Sequence, residues 1–262
     1  MAKSLSSVIV VIPARYGSSR FPGKPLVDIL GKSMTQRVYE GVSQSRFIEE
    51  VIVATDDERI SNNVRSFGGK AVMTSPDHQT GTDRVAEVAR KLKAKIIVNV
   101  QGDEPLIQGR VIDKAILPLL KDDSLTMSTL MTPLTDVEEW IDPNVGKVVV
   151  DQKGFALYFS RSPIPFPQGI NLKNLLAKSL QEEQFQLRGV FRQIGLYVYR
   201  RDFLLRFSRM KQTPLEQLEK LEQLRALENG YRIKVPVVDY KPFHVETPED
   251  LPKILAFLSR PS

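Results

Sequence analysis

The sequence predicts an α/β fold built on a doubly wound, mainly parallel sheet, with a smaller mixed α+β lobe in its second half. Three observations predict it. Short β-rich runs alternate with helical patterns through the first half, the signature of βαβ units. The runs VIVVI and IIVNV are continuously aliphatic, as strands buried on both faces are. After about residue 125 the alternation stops and hairpin-like and helical stretches follow.

In chain order, the β-rich runs are Val8–Ile12, Val51–Ala54, Ala71–Met73 and Ile96–Val100. Helical patterns at Thr35–Gln44 and Arg59–Phe67 separate them. A third helix follows Thr82, where Val85, Val88, Ala89 and Leu92 keep the i, i+3, i+4, i+7 spacing of one buried face. KVVVDQKGFALYFS (147–160) predicts two strands joined by a tight Gln-Lys-Gly turn. Gln168–Arg188 is polar and predicts an excursion or lid, and Val190–Tyr199 another strand. Thr213–Glu228 predicts one helix, with Thr213 as N-cap, Pro214 in the first turn, Glu216 completing a capping box and Asn229-Gly230 as the stop. Thr247, Pro248 and Asp250 repeat that start signal for a last helix.

The chain has 262 residues, near the upper limit for one compact domain, and is 42% hydrophobic, enough for a substantial core. No linker rich in Gly, Ser or Pro divides it, so a single domain over 1–262 is expected. No apolar run approaches the roughly 18–20 residues of a membrane span, and MAKSLSSVIVV is too soon polar for a signal peptide. The absence of cysteine excludes disulfides and thiolate metal sites and fits a cytoplasmic setting. The net charge of +6 suits nucleic acid, small acidic substrates or simply a solvated basic surface. No recognition-helix motif or aromatic-rich basic strand pair supports nucleic acid.

Three loops carry the chemistry. VIPARYGSSRFPGKPL (11–26) follows the first strand, where an open α/β sheet binds ligands. Gly17, Ser18, Ser19 and Gly23 let main-chain N–H groups approach a ligand, and Arg15, Arg20 and Lys24 match phosphate oxygens. There is no Gly-x-Gly-x-x-Gly, and Gly31-Lys32-Ser33 lacks the upstream glycine of a P-loop. NVQGDEP (99–105) places Asp103 and Glu104 at another carboxyl edge, either to hold a divalent metal against a polyphosphate or, for Asp103, to cap the next helix. In TSPDHQTGTDR (74–84), Thr80, Gly81 and Thr82 open a helix as an anion or hydroxyl site, with Thr82 as its N-cap; His78 is assigned no role.

ARYGSSRFPGKPL, TGTDR, VNVQGDEP, ALYFSRSPIP, PLEQLEKLEQLR and VETPEDL, in this order, resemble the 3-deoxy-manno-octulosonate (KDO) cytidylyltransferases, or CMP-KDO synthetases, over about Val8 to Leu258. The resemblance implies a Rossmann-like nucleotidyltransferase sheet (1–125), a sugar-binding and dimerisation lobe (126–215) and a C-terminal return (216–262). It implies transfer of CMP from CTP to the anomeric hydroxyl of KDO with Mg²⁺, releasing pyrophosphate, for lipopolysaccharide biosynthesis in the cytoplasm. A cytidylyltransferase for a related nonulosonic or modified octulosonic acid is the alternative, and a non-catalytic or nucleic-acid-binding relative a distant one.

Residue by residue, the resemblance implies that Arg15, Ser18, Arg20 and Lys24 hold the triphosphate. Thr80, Gly81, Thr82 and Arg84 would shape the nucleoside side. Gln101 and Asp103 would stand at the reacting centre, with Gln101 also touching nucleotide and Arg15 and Lys24 sharing the catalytic role. Asp103 and Glu246 would share the metal. Arg161, Gln193, Tyr197 and Glu216 would serve the sugar, although Arg161 would equally brace the lobe and Glu216 equally cap its helix. The resemblance also implies a homodimer, with Trp140 and Phe155 to Phe159 near or under the interface. Two departures fall on the acceptor side: His244-Val245-Glu246 stands for the family's Gly-Val-Asp, and Gln193-Ile194-Gly195 for its His-Leu-Gly.

Overall fold

Strand β1 (Val8–Ala14) is the centre on which the first half of the chain is built, with Val8, Val10, Val11 and Ile12 all fully buried. In the computed structural model, which describes residues 7–17, 20–168 and 189–259, β1 pairs in parallel with β4 (Glu50–Thr55) on one side and β6 (Ile96–Asn99) on the other. The registers Ile12↔Val53 and Val11↔Asn99 bring the carboxyl ends of all three strands to one edge. β5 (Lys70–Met73) extends the sheet in parallel beyond β4, and the end of β10 (Phe191–Arg200) closes the other side antiparallel to β6. The core strands of this mainly parallel sheet are the continuous aliphatic runs of the sequence.

The chain divides into two compact units. The first comprises the residues up to Ser128, Gly195–Arg209 and those from Lys241 on; the second comprises Thr129–Ile194 and Met210–Tyr240. The second unit therefore leaves out 195–209 and takes in 210–240, where the sequence set one lobe at 126–215.

Within the first unit, α1 (Met34–Ser43) starts at Ser33, whose hydroxyl accepts the Gln36 N–H, and α2 (Glu58–Ser66) at Asp57, whose carboxylate accepts the Arg59 N–H. β2 (Asp28–Ile29) and β3 (Lys32–Ser33) form a small hairpin ahead of α1. The N-cap of α3 (Gly81–Arg90) is Thr80, not Thr82: Thr80 Oγ1 accepts the Asp83 N–H at 3.1 Å. Thr82 is instead buried, and its hydroxyl accepts from Asn99 Nδ2 at 3.2 Å. α4 (Gly109–Lys121) follows the 99–105 loop, and it abuts the end of α1 so closely that a Cβ at Gly109 would lie 2.2 Å from the Gln44 carbonyl carbon. α6 (Arg201–Phe207) and α9 (Leu251–Leu258) complete this unit.

The second unit holds most of β7 (Met127–Pro133), α5 (Val137–Ile141), the start of β10, and a hairpin of β8 (Lys147–Val150) and β9 (Ala156–Ser160). Asp151 closes that hairpin by accepting the N–H groups of Lys153 and Phe155 at 2.8 and 2.9 Å. β11 (Ile233–Lys234) follows two short helices. The helix expected over Thr213–Glu228 is broken into α7 (Pro214–Glu219) and α8 (Leu224–Glu228) at Lys220, whose φ is +53°. Apart from Gln168, the predicted excursion Gln168–Arg188 lies outside the described residues.

Candidate active site

Three loops meet at Pro13, where β1 ends. A Cβ on Gly81 would lie 3.2 Å from Pro13 Cγ, and one on Gly102 would lie 3.1 Å from the Pro13 carbonyl oxygen. Glycine at both positions lets the start of α3 and the 99–105 loop close around the strand end. The cleft so formed has a volume of about 260 Å³. It is lined by Arg15, Arg20, Lys24, Thr80, Gly81, Arg84, Gln101 and Asp103, all singled out in the sequence, together with Pro13, Ala14, Pro25, His78, Gln79 and Gly102. Ser18 lies outside the described residues.

Opposite charges face each other in this unit. Lys24 Nζ donates to Asp103 Oδ2 at 2.8 Å, with His244 Nδ1 at 3.6 Å from the other carboxylate oxygen. Burial pushes the Asp103 carboxyl upward, but His244 and Lys24 outweigh it and hold the group well below the usual carboxylate range. Asp103 therefore stays an anion, and it does not cap α4, whose N-cap is Gln108. The Val245 N–H donates to the Asp103 carbonyl at 3.0 Å, bringing the last connecting segment beside the 99–105 loop. The next residue, Glu246, forms an ion pair with Arg20. The expectation that Glu246 stands only on the acceptor side is thus corrected: its carboxylate reaches the cationic loop itself.

Arg84 is buried and already committed, donating to Asp56 Oδ2 at 2.9 Å and to Thr74 Oγ1 at 2.5 Å. Its role in the cleft wall is to fix the end of β4 against α3 rather than to offer a free cation. His78, given no role from sequence, lines the cleft, with its Nε2 2.6 Å from Glu87 Oε2. Glu87 also accepts the Ser75 N–H at 3.0 Å, so the pair pins both ends of the 75–80 loop. The i, i+9 relation of His78 and Glu87 crosses a loop and a helix start, which no sequence periodicity reveals.

The residues that the resemblance assigns to the sugar belong to both units. Tyr197 belongs to the first unit, in the part of β10 opposite Asn99, with its ring stacked on Tyr199 at 6.1 Å. Arg161, Gln193 and Glu216 belong to the second unit. Arg161 donates to the main-chain carbonyls of Glu219, Pro143 and Lys220 at 2.7, 2.9 and 3.4 Å, the arrangement of a brace. Its own carbonyl accepts from the buried Lys147, whose amine burial pushes down to about 8. Glu216 accepts the Thr213 N–H at 3.3 Å and forms a bidentate pair with Arg225 at 2.8 and 2.6 Å. Gln193 Oε1 accepts from Gln223 Nε2 at 2.7 Å, a partner the sequence did not single out.

A small-residue cationic loop facing a partly buried carboxylate at the carboxyl edge of a parallel sheet is a nucleotide cleft in form. The family model described as Cytidylyltransferase matches residues 9–233. A Syntrophotalea carbinolica protein named 3-deoxy-manno-octulosonate cytidylyltransferase is 55% identical, the match covering 96% of this chain and 98% of that one. A Geotalea uraniireducens protein of the same name is 54% identical over 97% and 99%. The chain belongs to the 3-deoxy-manno-octulosonate cytidylyltransferase family. Among solved structures, a CMP:2-keto-3-deoxy-manno-octonic acid synthetase complexed with CTP is similar at 42% identity and a TM-score of 0.86, covering 97% of this chain and 99% of that one. The 4-diphosphocytidyl-2C-methyl-D-erythritol synthase of Anaerococcus prevotii, 14% identical with a TM-score of 0.61, shares the fold. Against this family's motifs, the His244 and Glu246 departures both stand beside the cationic loop and its carboxylate, while Gln193 stands in the second unit.

Proposed function

We propose that this chain transfers CMP from CTP to the anomeric hydroxyl of KDO, releasing pyrophosphate and supplying CMP-KDO for lipopolysaccharide assembly in the cytoplasm. The observation that carries it is the pairing of Lys24 with Asp103 inside a cleft that also presents Arg15, Arg20 and Gln101. In the step itself, the anomeric oxygen forms a bond to the α-phosphorus of CTP. The bond from that phosphorus to the bridging oxygen breaks, its electron pair leaves on pyrophosphate, and the hydroxyl proton passes to water. Arg15, Arg20 and Lys24 neutralise charge gathering on the leaving group, and little else is asked of the protein beyond positioning. Thr80, Gly81 and Arg84 form the nucleoside side of the cleft wall, with His78 and Glu87 setting the loop before it.

Asp103 and Glu246 fit a divalent ion. Both are hard oxygen donors, the Val245–Asp103 hydrogen bond sets them on neighbouring segments, and each already faces one cation of the loop. Mg²⁺ needs only one or two carboxylates besides phosphate oxygens and water. When bound, it would lower the charge cost of bringing an anionic sugar to an anionic nucleotide. Lys24 and Arg20 would then turn from the carboxylates to the triphosphate, so the ion and the nucleotide exchange partners with the resting ion pairs.

KDO is favoured as acceptor over related sugars by the family to which the chain belongs, and Arg161, Gln193, Tyr197 and Glu216 are its proposed surroundings. Initial rates of pyrophosphate release with CTP and a panel of 2-keto-3-deoxy sugars test this. KDO should give the highest kcat/KM; a nonulosonic or modified octulosonic acid that exceeds it would reassign the acceptor. A homodimer is proposed through the second unit, where Leu157, Phe166 and Leu218 are exposed and Phe166 stacks on the buried Trp140. Light scattering should give twice the chain mass, and a concentration-independent monomer would refute it. No helix among the described residues is long and apolar enough to cross a membrane.

A further inference from the structure

Tyr16 lies within the cationic loop, yet neither it nor Arg59 lines the cleft. The ring packs against Gly23, where a Cβ would meet Tyr16 Oη at 3.2 Å and two ring carbons at 3.3 Å. The Gly23 N–H donates to the Tyr16 carbonyl at 3.0 Å, closing the loop on itself. Gly23 has φ +75° and immediately precedes Lys24, so its placement sets where the lysine departs from the chain. The Tyr16 ring is covered by Arg59, whose guanidinium carbon is 3.4 Å from the ring centroid, a close cation–π stack.

Arg59 is itself held from behind. Its Nε and Nη2 donate to the two Asp57 carboxylate oxygens at 2.9 and 2.6 Å. Asp57 is fixed as the N-cap of α2 and also accepts the Arg59 N–H at 2.9 Å. The end of β4 thus reaches across the sheet edge, through Asp57, Arg59 and Tyr16, to the residue before Lys24. With 59% of its side chain exposed, Arg59 buries little and contributes little to folding; what it restrains is the loop.

We infer that Arg59 is a positioning residue for nucleotide binding, acting through Tyr16 to hold the loop that presents Lys24. This rests on the proposal that the loop takes the triphosphate of CTP.

The test is CTP affinity by calorimetry together with steady-state kinetics. The proteins are wild type, Lys24→Ala, Arg59→Ala, Arg59→Lys, Tyr16→Ala and the Tyr16→Ala/Arg59→Ala double variant. Arg59→Ala should weaken CTP binding and raise its KM by about 3- to 10-fold, with the KM of the sugar unchanged. Arg59→Lys, which keeps a cation over the ring, should recover part of the loss. Tyr16→Ala should lose as much as Arg59→Ala, and the double variant should lose no more than either. Unchanged CTP affinity in Arg59→Ala overturns the inference. So do additive losses, which would place Arg59 on the phosphates themselves. If Lys24→Ala binds CTP as wild type does, the fault lies with the nucleotide reading of the cleft rather than with the brace.

Discussion

Lys24 has only 16% of its side chain exposed and pairs with Asp103. Its removal leaves Asp103 still beside His244, so folding should change little while the reaction loses a cation at the leaving group. Lys24→Ala should lower kcat on the order of a hundredfold, the result of losing about 2–4 kcal/mol of transition-state stabilisation. Stopped-flow or steady-state turnover with an unchanged melting temperature checks it. For the carboxylates, Mn²⁺ affinity in the ternary complex should fall in both Asp103→Asn and Glu246→Gln, while Glu246→Asp stays active; unchanged affinity in both neutral variants would rule out the shared ion. Much of this was legible in the sequence, because Arg20, Lys24 and Asp103 follow strand ends and strand ends share an edge. What was not legible was which cation meets which anion. Arg84, Glu246 and His78 carry long or rotatable side chains whose partners lie up to 226 residues away, and no spacing rule selects among them.

At the scale of elements, the parallel strands and the first three helices stand within a residue or two of their sequence patterns, since buried aliphatic runs and periodic faces specify them locally. The break at Lys220 does not. Thr213, Pro214 and Glu216 signal a start correctly, and nothing between Glu219 and Leu224 signals a stop. The reason is tertiary. Glu216 and Arg225 are nine residues apart, which on one continuous helix would put them about 180° apart on opposite faces. Only a break lets them form their buried bidentate pair, and a buried glutamate left unpaired is costly enough to enforce it. The strain falls on Lys220 in the left-handed region. Lys220→Gly should therefore raise stability by about 0.5–1 kcal/mol, the relief of a left-handed side chain less the added freedom of the unfolded chain. A denaturant midpoint at or below that of wild type, with the same m-value, would show that the strain is absorbed elsewhere.

Across the whole molecule, the net charge of +6 is less informative than its placement. Arg15, Arg20 and Lys24 are gathered at the carboxyl edge of one sheet, Arg20 paired with Glu246 and Lys24 with Asp103. The sequence did not reveal the weaving of the chain, in which Gly195–Arg209 returns to the first unit before Met210–Tyr240 rejoins the second. β10 crosses that boundary within one continuous strand, so no loop or composition change marks it. The central claim is that CMP passes from CTP to the anomeric oxygen of KDO, and ³¹P NMR of the enzyme with equimolar CTP, KDO and Mg²⁺ tests it most directly. The three CTP resonances should give way to one sugar phosphodiester signal and inorganic pyrophosphate in equal molar amounts. Intact CTP, or pyrophosphate accompanied by free CMP without the phosphodiester, would contradict it.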